Sequence, residues 1–154
     1  MSVGTGTSAL GADAVLDALE DRTLPPARFD HRAHVRAAWE CLRREPSLGR
    51  ALERFARALS AYAAAQGATG KYHETLTVAF VLLIHDRLRR SGPVPWDTFV
   101  AANPDLLLWP NPVLARWYSR ETLGSEVARR SFVLPDALAE PARQPRLEAA
   151  RPTG

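Results

Sequence analysis

An all-α fold, a compact bundle of about five to six helices, is what this 154-residue sequence predicts, and three observations predict it. Apolar residues recur at helical spacing through most of the chain. No segment alternates as a half-buried strand does. Breaks containing Pro or Gly cut the pattern into helix-sized pieces. A chain of this length can bury one real core, and 46% hydrophobic with 24% charged residues is the balance of a folded domain rather than a disordered one. Residues 1–11 are expected to be a flexible leader, 12–136 a single helical domain, and 137–154, rich in Pro, Ala and Arg, a disordered tail.

The first helix is expected from about Asp13 to Asp21, with Val15, Leu16 and Leu19 on one face, and Leu24-Pro25-Pro26 stops it. Asp30 is a good N-cap for a second helix, His31 to Arg44, and Phe29 can pack back onto it as a hydrophobic staple. On that helix His31, His34, Val35, Ala38, Cys41 and Leu42 form one stripe, and Arg32, Arg36, Glu40 and Arg43 lie on the other side. Ser47 caps a third helix that runs to about Gln66 and ends at Gly67-Ala68-Thr69-Gly70. The fourth, about Lys71 to Arg90, is the most hydrophobic, although Lys71, His73, Glu74, Thr75 and Thr77 make its start polar. Shorter helices are expected near Trp96–Ala102, Val113–Tyr118 and Ser125–Arg130. Phe132, Val133 and Leu134 are expected to form a final apolar anchor.

The net charge of +3 does not indicate nucleic acid: Lys71 is the only lysine, and the arginines alternate with Asp and Glu instead of forming a basic block with aromatics. Cys41 stands alone, which excludes an intramolecular disulfide and a cysteine-cluster metal site. The longest apolar run, Leu76 to Ile84, falls far short of the roughly 20 residues that span a bilayer. Neither a membrane nor a nucleic acid is an expected partner, and a cytoplasmic location is.

The chemistry concentrates at two helix starts. Short connections make successive helices antiparallel, so the second and fourth run parallel and share one end. His31 and His34 then face His73 and Glu74 across a bundle whose axes lie about 8 to 10 Å apart. His85, twelve residues after His73, lies about 18 Å further along the axis and cannot share the site.

Three converging imidazoles suit a divalent transition metal such as Zn, Fe, Mn, Ni or Cu, with His31, His34 and His73 as ligands and Glu74 as a fourth ligand or as general acid/base. His73-Glu74 keeps the first pair of a His-Glu-x-x-His motif but has Thr77 in place of the second histidine. The first expectation is thus a metal-dependent enzyme, hydrolase or lyase, acting on a small-molecule substrate. Three alternatives stand beside it: a non-haem iron oxygenase, a metal-free acid–base site with Lys71 as counter-charge, and a non-catalytic binding or regulatory protein in which the cluster is a polar network. Thr77 either supports His73 or bonds the preceding turn, and Tyr118, Ser119, Asp105, Trp109 and Trp117 are weaker candidates for a pocket lining.

Phe29-Asp30-His31-Arg32-Ala33-His34, Lys71-Tyr72-His73-Glu74-Thr75, Asn103-Pro104-Asp105-Leu106, Trp117-Tyr118-Ser119 and Ala128 to Asp136 together resemble a family of small bacterial all-helical proteins with F-x-H-x-x-H and K-Y-H-E-T motifs. The resemblance covers roughly Phe29 to Asp136. It implies one intact domain and brings no reaction, substrate or cofactor with it.

Overall fold

A computed structural model describes residues 14–110 and 112–137; the expected leader, nearly all of the expected tail, and Asn111 lie outside them. The described residues are all-α, without a strand. Five helices form the body: α1 (Ala14–Glu20), α2 (His31–Arg44), α3 (Leu48–Ala65), α4 (Glu74–Ser91) and α5 (Trp96–Ala102). Two short ones follow, α6 (Arg120–Leu123) and α7 (Glu126–Arg130). Single 3-10 turns at Pro26–Arg28, Thr69–Lys71, Pro104–Leu107 and Leu114–Arg116 lie in the connections. No helix among the described residues is long and apolar enough to cross a membrane.

The helix starts are chemically defined. Asp30 accepts the Ala33 N–H, and Ser47, Ser119 and Ser125 cap α3, α6 and α7 in the same way. Phe29 stacks its ring on His34, the fourth residue of α2, with centroids 3.8 Å apart and planes at 13°. This is the expected staple, with an imidazole in the usual place of an aliphatic side chain. Gly67, at φ 65°, ends α3 by taking the left-handed conformation that other residues enter only with strain.

Helices α2, α3 and α4 pack against one another, α1 lies across α2 and α3, and α7 rests on α4. Their shared core contains Leu16, Leu19, Val35, Trp39, Phe55, Ile84 and Phe99. Glu40 is a correction to the two-sided reading of α2: it is only 1% exposed. Its carboxylate accepts the Leu16 N–H at 2.8 Å and the Arg36 Nε–H at 2.8 Å. Because α1 packs on that side of α2, the carboxylate is compensated there by the Leu16 N–H of α1 and by Arg36.

The last described residues are strapped to α4 and α6. Thr75 Oγ1 donates to the Ser131 carbonyl at 2.9 Å and accepts the Val133 N–H at 3.2 Å. The Tyr118 hydroxyl donates to the Val133 carbonyl at 2.8 Å. Asp136 accepts from the Ser119 N–H and from the hydroxyls of Ser119 and Thr122. The expected apolar anchor is therefore only Val133 with these polar bonds; Phe132 and Leu134 are exposed.

Candidate functional site

The starts of α2 and α4, together with α3, enclose a cavity of about 490 Å³, a volume in the range of small-molecule sites. Its walls are aromatic and aliphatic: Phe29, Phe55, Tyr62, Tyr72, Phe80 and Trp109 are the rings, with Leu59, Leu76 and Ile84 between them. Four of the five residues singled out from sequence border it: His31, His34, Lys71 and His73. Glu74 and His85 do not.

Each imidazole is held by a backbone carbonyl. The His31 Nε2–H donates to the Leu106 carbonyl at 2.8 Å, while the ring packs against Phe80 and Trp109 with centroids 5.2 and 5.1 Å away. The His34 Nδ1–H donates to the Asp30 carbonyl at 2.9 Å. A carbonyl can only accept, so these bonds fix the proton on Nε2 of His31 and on Nδ1 of His34. The remaining nitrogen of each ring, Nδ1 in His31 and Nε2 in His34, has no hydrogen bond among the described residues.

His34 resists protonation. Burial lowers its pKa below the ordinary 6.5, an effect opposed by the Asp30 carbonyl and reinforced by neighbouring His31. The site thus contains a neutral imidazole of defined tautomer with one lone pair unused.

His73 stands apart. It is the N-cap of α4: its Nδ1 accepts the Leu76 N–H at 3.2 Å while its Nε2–H donates to the Leu123 carbonyl at 2.8 Å. Both ring nitrogens are consumed, and neither has a lone pair for a metal ion. The helix begins at Glu74, later than the sequence suggested, and Lys71 belongs to the preceding 3-10 turn. Glu74 is bonded to the Tyr72 hydroxyl at 2.5 Å. Burial, then this carboxylate, pushes the phenol up to about 12. Among the described residues no group of three or more His, Cys, Asp or Glu is placed to hold one metal ion.

The weaker candidates separate. Trp109 borders the cavity while remaining 62% exposed, and Thr77 bonds the preceding turn through the His73 carbonyl at 2.8 Å. Asp105 instead forms a two-pronged pair with Arg87 of α4, at 2.8 and 3.1 Å, and Arg87 also donates to Asn103 at 2.8 Å. That clamp fixes the Pro104–Leu107 turn, whose Leu106 carbonyl orients His31. Sequence reasoning missed it because its effect is exerted through main-chain atoms, and Arg87 is one of three arginines in the last turns of α4 with nothing in the sequence to single it out.

Comparison with protein-family models, with curated proteins and with solved structures found no significant match to this chain, so the reading of the site rests on its own geometry.

Proposed function

We propose that this chain binds a small, largely apolar organic molecule in the cavity between α2, α3 and α4, and that neutral His34 is the proton-accepting group there. The carrying observation is the partnerless Nε2 of His34 on the wall of a largely apolar cavity. A base needs an oriented lone pair and a neutral resting state, and the Asp30 carbonyl and burial supply these. Of the readings open from sequence, metal-free acid–base chemistry is the one this arrangement supports best, and His31, held by Leu106, is the second polar contact for a substrate.

The test is a panel of small aryl esters and hydroxy acids assayed with wild type and His34→Gln in the presence of chelator. Turnover lost in the variant, with substrate binding retained, is the expected outcome, and the wild-type rate should hold to below pH 6.5, the ordinary imidazole value. Turnover unchanged in His34→Gln refutes the role of His34.

A second reading is favoured by a separate observation. His31 and His34 each bond a carbonyl through one nitrogen and keep the other without a hydrogen bond, the habit of metal-ligating imidazoles. A divalent ion would then rest on those two rings, with substrate or water completing its shell. Stoichiometric Zn, Fe, Mn, Ni or Cu in purified protein, with thermal stability lost on chelation, would select this reading.

A further inference from the structure

We infer that the cavity is selective for an anion, and that its ligand is a carboxylate with an aromatic or aliphatic body. This inference rests on the pocket reading above and narrows it to a substrate class. Two independent observations carry it.

The first is the charge of the lining. The twenty residues that border the cavity include one lysine and three histidines and not a single aspartate or glutamate. The carboxylates that flank the two helix starts are engaged elsewhere: Asp30 with the Ala33 N–H, Glu74 with the Tyr72 hydroxyl. A cationic ligand would find no countercharge in the cavity, and a wholly neutral one would make no use of its ammonium group.

The second is Lys71 itself. It is exposed and borders the cavity, and its side-chain ammonium has no ion-pair or hydrogen-bond partner among the described residues. Most of the described arginines on α2 to α4 are, by contrast, paired with a carboxylate or packed on an indole. An ammonium beside an aromatic chamber is matched by a ligand with one negative end and an apolar remainder. The rings of Phe29, Phe55, Tyr62 and Phe80 would cover that remainder.

The experiment uses three molecules of nearly one shape: 2-naphthoate, 2-naphthalenemethanol and 2-naphthylmethylammonium, titrated by calorimetry into the full chain. Naphthoate should bind tightest and naphthylmethylammonium weakest. Lys71→Met should lower naphthoate affinity about fivefold, as expected of one solvent-exposed ion pair, while leaving the alcohol unchanged. High salt should reduce naphthoate binding in wild type and much less in the variant. Two cavity-blocking changes, Ala63→Trp and, at the exposed rim, Gln66→Trp, should abolish binding of naphthoate and alcohol alike.

If the alcohol binds in the cavity as tightly as naphthoate, or Lys71→Met leaves the preference for the anion intact, the inference is overturned and the pocket reading stands. If none of the three binds, or binding survives both blocking changes, the pocket reading falls and the inference with it.

Discussion

Replacing His73 separates a helix cap from a metal ligand. His73→Ala removes the acceptor for the Leu76 N–H, a loss of about 1 kcal/mol for a typical N-cap. It also leaves the Leu123 carbonyl without its donor, worth about 1 kcal/mol more at a partly buried position. The sum, about 2 kcal/mol, should lower the melting temperature by roughly 4–8 °C, since each kcal/mol moves the midpoint of a domain this size by about 2–4 °C. His73→Asn supplies a good capping oxygen but is too short to reach Leu123, so it should recover about half of that loss. Thermal and urea unfolding followed by circular dichroism at 222 nm read both variants directly. Equal destabilisation by Asn and Ala, or none by either, would refute the capping role. If His73 were a ligand, both variants would lose metal to the same extent, and chelation would destabilise only wild type.

The other expectations are narrower. Glu40→Leu strips the acceptor from the Leu16 N–H and one partner from Arg36, and should lower stability by about 2–3 kcal/mol in urea titration, against much less for Glu40→Gln. Arg87→Met releases the Pro104–Leu107 turn and with it the Leu106 carbonyl that orients His31; ligand affinity in the cavity should fall several-fold with little change in the position of α4, as followed by amide NMR shifts. Asp136 is held down to about 2, from an ordinary 3.8, chiefly by the hydroxyl and N–H of Ser119 and the hydroxyl of Thr122. Because the folded value is the lower one, its contribution is complete above pH 3.8 and fades as pH falls toward 2. Hydrogen-exchange protection in 131–137, taken relative to the intrinsic rate at each pH, should therefore fall over that window in wild type and be low and flat in Asp136→Ala. His34 has the same sign: its imidazole should titrate below 6.5 by NMR, and the stability it contributes in neutral form is lost as pH falls through that lower value.

What could be read from sequence was local. Asp30 and Ser47 announce helix starts because their side chains bond an amide three residues on, and the apolar spacing of α2 to α4 follows from one helical turn. The parity of helix directions and the apolar faces bring His31, His34, His73 and Glu74 to one end of the bundle, where the three histidines border the cavity and Glu74 does not. Their roles were not legible. Each imidazole is committed by a main-chain carbonyl, and two of these lie 75 and 50 residues away, where no side-chain pattern reports them. The start of α4 was misplaced because a histidine stands where Ser, Thr, Asp or Asn usually marks a cap. The burial of Glu40, on the side of α2 away from the apolar stripe, was not legible because a helix read alone does not show that α1 lies there. At four residues, α6 is too short for periodicity to register.

The two sides of the cavity differ in how freely they can change. On the α2 and α4 side Phe29, His34 and His73 border the cavity and also hold the helix starts, so a change there acts on both. Leu59 and Ala63, on α3, border the same space without capping a helix or bonding a distant carbonyl. A new ligand preference is therefore most accessible through α3, where shape can be retuned one residue at a time while the imidazoles opposite remain in place.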